Sequence, residues 1–273
     1  MELSTGQTKP VFSRRSFVVM LILLALRYPL LLLGEMEIIP SVIAFVVYLV
    51  GTYLLTALFV YENRANLRYY NITNIALLFF LCAPLVALLA GNDTDPTLWV
   101  RLGVAVVFAV LLFRKRKDWL RMEKIRIGSL LVNLLITGVL CVLLPLAIHA
   151  IRGFPVIDAP SGNIQVAFDI PYIWSFQLSS AAVSEEPLFR GILWGYLRTK
   201  GIKDGWIVLI QAGLFWLGHI YYIGTGINFW IVHPFTALLL GIVVWKTKST
   251  AHSMTLHASI NTFADYLRHV PYL

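Results

Sequence analysis

The sequence predicts an all-α protein, a polytopic transmembrane bundle of eight or nine helices. Hydrophobic residues make up 59% of the 273 positions and charged residues only 13%, and the mean hydropathy is +0.77. Soluble domains are usually about 45–50% apolar and about 25% charged. A chain this apolar has too few polar groups to cover its surface in water, so a lipid bilayer is the expected solvent.

The apolar residues form runs of the length that a membrane-spanning helix requires. A span needs roughly 20 mostly apolar residues at about 1.5 Å per residue, and the runs lack the period-two alternation of transmembrane strands. We expect spans at 16–33, 38–60, 72–90, 97–113, 128–149, 171–197, 205–222, 228–245 and 251–267.

The first of these runs follows Arg14 and Arg15 and superficially resembles a signal peptide. No small-residue cleavage site follows it, and Arg27 and the pair Tyr28-Pro29 interrupt the apolar run. We therefore expect a retained first helix rather than a processed leader.

Three regions follow from the order of the spans. Residues 1–150 are expected to hold five N-terminal transmembrane helices, and residues 171–273 a second helical core. The segment 151–170 between them is the longest irregular stretch and is rich in glycine and proline, as turns and loops are. We expect it to be an external loop, with its breakers at Gly153, Pro155, Pro160 and Gly162 and with Pro171 at its end.

The basic residues fix the expected orientation. The net charge of +8 would be compatible with nucleic acid, but most lysines and arginines lie in short gaps between apolar runs, on one side if the spans alternate. Cytoplasmic loops carry this excess. We therefore predict no nucleic-acid partner, an N-terminus in the cytoplasm, and, from the short loops and compact length, a prokaryotic cytoplasmic (inner) membrane.

Two adjacent glutamates, Glu185 and Glu186, lie deep in the sixth predicted span. A charge at the bilayer centre costs about 2.5–3.5 kcal/mol, so both side chains are expected to face the bundle interior. Neighbours on a helix point about 100° apart. Glu186 and Arg190 have the i, i+4 spacing of an ion pair, which leaves Glu185 to face a cavity as a general base. A structural ion-pair network between helices is the alternative.

Two further polar groups lie in the last spans. His219 follows Phe215 by one turn near the middle of the seventh span, and His257 precedes Asn261 by one turn in the final span. The i, i+4 spacing places His257 and Asn261 on one helix face. The alternatives are a satisfied core histidine at 219 and a simple interhelical hydrogen bond for the pair. His233, beside Pro234, is expected to be structural or to line a cavity.

Depth in the membrane links these groups. At about 1.5 Å per residue, Glu185, His219, His257 and Asn261 all lie roughly 10–21 Å from the cytoplasmic ends of their predicted helices. Because independent structural residues have no reason to share one level, the sequence favours a common site.

These motifs together resemble the CPBP family, which comprises CAAX prenyl proteases and bacteriocin-processing enzymes and is also called the Abi family. The resemblance covers about 171–268, and the first five helices add only compatible hydrophobicity. It is carried by three ordered motifs, Glu185-Glu186-x-x-x-Arg190, Phe215-x-x-x-His219 and His257-x-x-x-Asn261.

The resemblance implies an intramembrane endopeptidase that hydrolyses a peptide bond of a membrane-associated protein or peptide. By this analogy Glu185 and His219 position and deprotonate a water, and His257 and Asn261 stabilise the oxyanion that forms at the scissile carbonyl.

Glu186 is counted with Glu185, His219, His257 and Asn261 as a catalytic residue, one that orients Arg190 and shapes the cavity. Arg190 and Phe215 are expected to support the site. One glutamate and two histidines also resemble a catalytic zinc set. HExxH is absent and the candidate ligands are spread over three helices, so we favour a reaction without metal or other cofactor, with zinc as the alternative.

Two other classes of function remain open at this stage. Carboxylates and histidines in membranes also form the proton relays of transporters, although the chain has no inverted repeat. A non-catalytic protein of the bacteriocin-immunity type would retain the same fold. For an enzyme, the candidate substrates are a prenylated C-terminal peptide, a bacteriocin leader and another membrane-protein segment.

Overall fold

The computed structural model describes residues 12–114, 162–226 and 228–269, together with isolated positions 128, 131, 132 and 135. Every secondary-structure element within this part of the chain is helical, which confirms the predicted all-α class. Eight of the nine predicted spans coincide with helical stretches. The remaining span, 128–149, lies almost entirely outside the described residues.

The helices have the dimensions of membrane spans. Three described stretches are both long and apolar enough to cross a bilayer: Arg14–Glu35, Ser41–Glu62 and Phe229–Thr247. A fourth arises if Arg64–Tyr70 and Asn74–Leu89, bent by 103°, form one broken span, and Pro96–Leu112 and Asp204–Leu217 are apolar but shorter. The chain is an integral membrane protein.

The distribution of side chains agrees with an apolar surrounding. Large hydrophobic residues face outwards, among them Val42 at 72% and Leu89 at 78% exposure, whereas Arg27, Arg101 and Arg190 are all at most 1% exposed. In water-soluble proteins arginine is almost never fully buried unless it is paired. The fold thus places these three arginines inside, as lipid requires.

The described helices fall into two compact units that do not follow the order of the chain. The first unit comprises Met1–Ile72 and Pro187–Lys248, and the second comprises Thr73–Glu186 and Ser249–Leu273. The expected division into 1–150, 151–170 and 171–273 therefore does not coincide with these units. The unit boundary falls directly after Glu186.

The first unit begins at Ser13, whose side chain accepts a hydrogen bond from the backbone N–H of Ser16 and caps the first helix. Its core includes Trp194, with Ile207, Val208 and Val244 packed together. The helices of this unit are Arg14–Ala25, Leu31–Glu35, Ser41–Glu62, Trp194–Thr199, Asp204–Leu217 and His233–Thr247, with 3-10 turns at Arg64–Tyr70 and Ile220–Thr225.

The second unit contains the C-terminal helix, Thr250–His269. Its other helices are Asn74–Leu89, Pro96–Arg114, Gly162–Gln177 and the short turn Val183–Glu186. Thr73 caps Asn74–Leu89 by accepting from the backbone N–H of Ala76. The C-terminal helix packs against Gly162–Gln177 and the residues that follow it.

Within the described residues, wide π-helical turns interrupt the helices at four places. They lie at Leu26–Leu30, Leu178–Ala182, Pro187–Leu193 and Asn228–Val232. Such turns are rare and frequently mark functional sites. Here one of them contains the buried Arg27, two flank the buried glutamates, and one precedes the partly buried His233.

Two sequence-based expectations need correction. The helix preceding the glutamates begins at Gly162, so residues 162–170 are not part of an irregular loop; Pro171 lies inside the helix, which continues through it. The seventh helix is shorter than predicted and ends at Leu217, so His219 lies at the break before the 3-10 turn Ile220–Thr225 rather than in mid-helix.

The carboxylate of Asp204 forms hydrogen bonds that connect three helix ends in the first unit. Asp204, just before the predicted span 205–222, accepts hydrogen bonds from Arg198 Nε at 2.8 Å, from Trp194 Nε1 at 3.0 Å and from Lys248 Nζ at 2.7 Å. Burial opposes ionisation of Asp204, but the hydrogen bonds from Arg198 and Lys248 outweigh it and hold the pKa of this carboxyl well below its usual range.

We predict that Asp204→Asn lowers the free energy of unfolding by about 1–2 kcal/mol at pH 7, since bonds from charged donors are lost. Because the folded-state pKa lies below the unfolded value of about 3.9, this contribution is complete above about pH 4 and disappears as the pH falls towards the folded pKa. The measurement is unfolding in detergent at several pH values. A difference between wild type and variant that stays constant from pH 7 to pH 2 would contradict it.

Candidate active site

The two glutamates lie on a single α-helical turn, Val183–Glu186, which we call the carboxylate turn. It stands between the π-helical segments Leu178–Ala182 and Pro187–Leu193. Glu185 is 6% exposed and Glu186 is fully buried. Neither position is a surface site, so internal partners must compensate for the burial of these carboxyl groups.

The π-helical segments on each side receive polar side chains from other helices of their own units. In the second unit, Arg101 donates through Nη1 to the carbonyl of Ser179. In the first unit, Asn71 Nδ2 donates to the carbonyl of Arg190 at 3.0 Å. Donors that reach into a helix backbone widen its turn. These contacts therefore stabilise the irregular backbone next to the carboxylate turn.

His257 meets both glutamates. Its Nδ1 lies 2.8 Å from Glu186 Oε1, and its Nε2 lies 4.0 Å from Glu185 Oε2. The ring is 3% exposed. A carboxylate only accepts, so the short contact assigns a proton to Nδ1. The second nitrogen, Nε2, is then the ring atom that faces Glu185 and is placed to serve a substrate.

Asn261, one turn further along the C-terminal helix, is held by a relay of two side chains. Gln177 Nε2 donates to Asp265 Oδ2, at a short 2.5 Å, and Gln177 Oε1 accepts from Asn261 Nδ2 at 3.0 Å. Because Asp265 can only accept, the amide of Gln177 has one possible orientation. That orientation in turn fixes the amide group of Asn261.

His257 and Asn261 share one face of the C-terminal helix, as their spacing predicts. Both contact the chain between Gly162 and Glu186, and Trp174 Nε1 adds a bond to Ser259 Oγ at 3.3 Å. This face therefore carries an imidazole and a carboxamide, each with its orientation set by a neighbour. Two such preorganised groups suit stabilisation of a developing negative charge.

His219 belongs to the first unit and has its own set of partners there. Its Nδ1 lies 2.8 Å from the carbonyl oxygen of Phe215, and Arg27 Nη2 lies 2.9 Å from Nε2. The ring centroid of His233 is 4.8 Å away, and that of Tyr222 is 6.1 Å away in a stacked arrangement. His219 is thus a hydrogen-bonded residue within a polar and aromatic cluster.

Phe215 and Arg190 contact each other in the same unit. The guanidinium carbon of Arg190 lies 4.3 Å from the ring centroid of Phe215, and Arg190 Nη2 donates to the carbonyl of Ala237 at 3.3 Å. Phe215 also packs 4.7 Å from the His219 ring. Phe215 therefore links Arg190 to His219 through an aromatic face, an arrangement that attracts cations.

The predicted ion pair between Glu186 and Arg190 stays a prediction. Its i, i+4 argument assumes a regular α-helix, whereas the segment after Glu186 is π-helical with i, i+5 bonding. Within the second unit, Glu186 is in close contact with His257. Their sequence spacing does not indicate this pairing.

The predicted site residues are thus distributed between the two units. The second unit brings Glu185, Glu186 and His257 together and holds Asn261 one helical turn away. The first unit brings Arg190, Phe215 and His219 together. Their catalytic roles remain predictions.

Sequence reasoning missed Gln177, Asp265 and Arg27. Gln177 and Asp265 resemble ordinary polar residues near helix ends, and only the fold connects them to Asn261. Arg27 gave a usable signal, because an arginine inside an apolar span marks a functional site by default. In the sequence, Arg27 is visible only as an interruption of the first apolar run.

Within the described residues, no group of three or more His, Cys, Asp or Glu side chains is arranged to hold a metal ion. A cofactor-free reaction and its zinc alternative therefore both stay at the level of sequence-based prediction.

Comparison with known proteins agrees with the resemblance found in the sequence. Residues 168–263 match a family model described as type II CAAX prenyl endopeptidase Rce1-like. The matched segment is about a third of the chain, and it contains both glutamates, Arg190, Phe215, both site histidines and Asn261. No curated protein and no solved structure matches the chain significantly.

We predict that the contact between Glu186 and His257 is a strongly coupled buried pair. Glu186→Leu should lower the free energy of unfolding by about 1–3 kcal/mol, because it leaves the buried Nδ1–H of His257 without its acceptor. The double variant Glu186→Leu/His257→Leu should recover part of that loss. Unfolding by SDS titration in micelles measures all three.

The matched control is Glu62→Leu, since Glu62 lies 3.9 Å from an exposed Arg15. Such a surface pair contributes about 0–1 kcal/mol. Additive losses for the two single changes at Glu186 and His257 would show that the pair is not coupled.

Proposed function

We propose, from the match of residues 168–263 to the type II CAAX prenyl endopeptidase family, that this membrane protein is an intramembrane endopeptidase of the CAAX type. The substrate class is a membrane-associated peptide or protein. The finer proposal is a reaction in which Glu185 activates a water molecule. One observation carries this proposal: Glu185 lies opposite His257 on a buried turn. The second carboxylate of that turn, Glu186, is in close contact with the same histidine.

The two glutamates have different surroundings, which supports different roles. Glu186 is fully buried and lies 2.8 Å from His257 Nδ1, so its carboxylate orients the ring. Glu185 is slightly exposed and lies 4.0 Å from Nε2. This distance is longer than a direct hydrogen bond, and it leaves room for a third group that contacts both Glu185 and His257. In our proposal that group is the water or the scissile carbonyl.

The reaction we propose begins with a water held at Glu185. The Glu185 carboxylate removes its proton, the hydroxide oxygen bonds to the scissile carbonyl carbon, and the carbonyl π electrons move to oxygen. Collapse of this tetrahedral intermediate breaks the C–N bond, and the proton held by Glu185 passes to the leaving amine. General-base help of this kind contributes typically about 10²–10⁴-fold.

His257 and Asn261 stabilise the oxyanion in this scheme. With Nδ1–H given to Glu186, His257 donates from Nε2 in its imidazolium form, for which the Glu186 carboxylate supplies the compensating charge. Asn261 donates one Nδ2 hydrogen to Gln177 Oε1, and in this scheme it donates the second Nδ2 hydrogen to the oxyanion. His219 assists Glu185 by the family resemblance.

We expect Glu185→Gln to reduce cleavage at least 10²-fold, because the amide cannot accept the proton of water. Purified protein in liposomes would be given two quenched fluorescent peptides of one sequence, one farnesylated and one not. New peptide termini would also be compared in membranes that contain wild type or variant. The matched control is Glu62→Gln, which changes a glutamate at a helix end.

Cleavage by Glu185→Gln above one tenth of the wild-type rate would contradict the role of Glu185. If wild type cleaves neither peptide and generates no termini in membranes, the peptidase proposal itself is wrong. Preference for the farnesylated peptide would establish the prenylated substrate class, and equal rates would establish an unprenylated one.

The relay through Gln177 gives a second expected outcome. Asn261→Ala should lower kcat by about 10²–10³-fold, as loss of an oxyanion donor does. Gln177→Met should lower kcat by about tenfold with little change in KM, since it removes only the group that orients Asn261. The double variant should resemble Asn261→Ala alone. Multiplicative effects of the two changes would show that Gln177 acts independently of Asn261.

A further inference from the structure

We propose that Arg27, on the first helix, is the positioning residue of His219, and that it holds the imidazole in the neutral form protonated at Nδ1. This inference rests on the proposed peptidase function for its catalytic consequence. Arg27 lies outside the segment that matches the family model. The N-terminal part of the chain would therefore supply a required residue of the site.

The side chain of Arg27 is buried in the protein interior. It is 1% exposed and belongs to the π-helical turn Leu26–Leu30, which contains Pro29. Proline removes a backbone donor from the helix, and the wide turn re-directs the side chains around it. An arginine inside an apolar span faces a protein interior because lipid would not solvate it.

The guanidinium group contacts the ring of His219 and a neighbouring hydroxyl. Arg27 Nη2 lies 2.9 Å from His219 Nε2 and 3.3 Å from Nδ1, and Arg27 Nη1 donates to Tyr221 Oη at 3.3 Å. The planar guanidinium group thus contacts the side chains of His219 and Tyr221 at the same time. Lysine lacks this geometry, since its ammonium acts as a point charge.

The partners of the ring identify its protonation state. The carbonyl of Phe215 can only accept, so Nδ1 at 2.8 Å carries a proton. The guanidinium carries only donors and a positive charge, and Arg27 Nη2 lies within 3.3 Å of both ring nitrogens, so it opposes a second proton on the ring. An imidazolium has hydrogens on both nitrogens and no acceptor. The observed arrangement therefore needs a neutral His219 with Nε2 as its basic atom.

The backbone makes room for this contact. A side-chain carbon added at Gly218 would lie 3.3 Å from Tyr28 Cε1 and 3.6 Å from the guanidinium carbon of Arg27. Tyr28 in turn donates to the carbonyl of Leu214 at 2.5 Å. The first helix therefore approaches the residues around His219 through two adjacent side chains, one bonded to the ring and one to the backbone.

Substitutions of Arg27 and Tyr28 distinguish a role in positioning the His219 ring from a role in helix packing. Loss of Arg27 removes the positive charge that opposes a second proton, so the ring is expected to gain an imidazolium population while Nδ1–H stays on the carbonyl of Phe215. Loss of the Tyr28 hydroxyl removes a helix-to-helix bond and leaves the ring contacts intact. Arg27→Met and Tyr28→Phe are therefore a matched pair of test and control.

The first measurement is the ¹⁵N spectrum of histidine-labelled protein in liposomes at neutral pH. The chain has six histidines, and comparison with His219→Gln assigns the signal of His219. Wild type and Tyr28→Phe should show a neutral ring protonated at Nδ1. Arg27→Met should show a mixture of the neutral ring and the imidazolium. An unchanged His219 signal in Arg27→Met would overturn the proposal.

The second measurement is cleavage of whichever membrane peptide the wild type hydrolyses. Arg27→Met should lower kcat by about 10–100-fold with KM changed less than twofold, since a misplaced catalytic group commonly costs that much. Arg27→Lys should retain more activity than Arg27→Met, and Tyr28→Phe should remain within about threefold of wild type. Equal losses in Arg27→Met and Tyr28→Phe would indicate a packing role and overturn the proposal.

The two measurements also separate this inference from the proposed function. If wild type is not a peptidase, the spectrum still decides whether Arg27 keeps the ring of His219 neutral. If wild type cleaves and Arg27→Met cleaves equally well, the peptidase proposal stands and the role of Arg27 is wrong. Should Arg27→Met not reconstitute, Arg27→Gln undergoes the same spectral test, with a mixture of the neutral ring and the imidazolium expected and an unchanged signal contradicting it.

Discussion

The structure depends on one constraint, which is that a charge carried inside an apolar chain must find its partners within the protein. The contact of 2.8 Å between Glu186 and His257 is the clearest result of it. Neither group is tolerated alone in lipid, and together they fix the C-terminal helix against the carboxylate turn. Arg101, fully buried, obeys the same rule through Asp95 at 2.8 Å.

The same constraint accounts for the irregular helices. A regular α-helix bonds all its own backbone groups, so it offers nothing to a polar side chain from elsewhere. The π-helical segments beside the carboxylate turn instead accept hydrogen bonds at the carbonyls of Ser179 and Arg190. Irregular backbone and buried polar side chains therefore satisfy each other, and both are concentrated near the glutamates.

These relations explain how much the sequence could predict. Composition and run length predicted the helices, because burial in lipid depends on total hydrophobicity. The i, i+4 spacing of His257 and Asn261 predicted their common face, because that helix is regular. The same rule assumes α-helical spacing, which the π-helical turn after Glu186 does not have, so the Glu186–Arg190 pair stays a prediction. The relay through Gln177 and Asp265 depends on contacts about 84 and 88 positions apart, which no local pattern encodes.

The histidines then differ in a way that their sequence motifs do not reveal. His257 has Nδ1 on a carboxylate, so negative charge is available to it when it donates from Nε2. His219 has Nδ1 on a carbonyl and a guanidinium at Nε2, so its ring is held as an acceptor. An oxyanion requires a donor and a water being deprotonated requires an acceptor. The partners of each ring therefore favour the division of roles that the resemblance implies, and for His219 the deciding partner comes from the first helix.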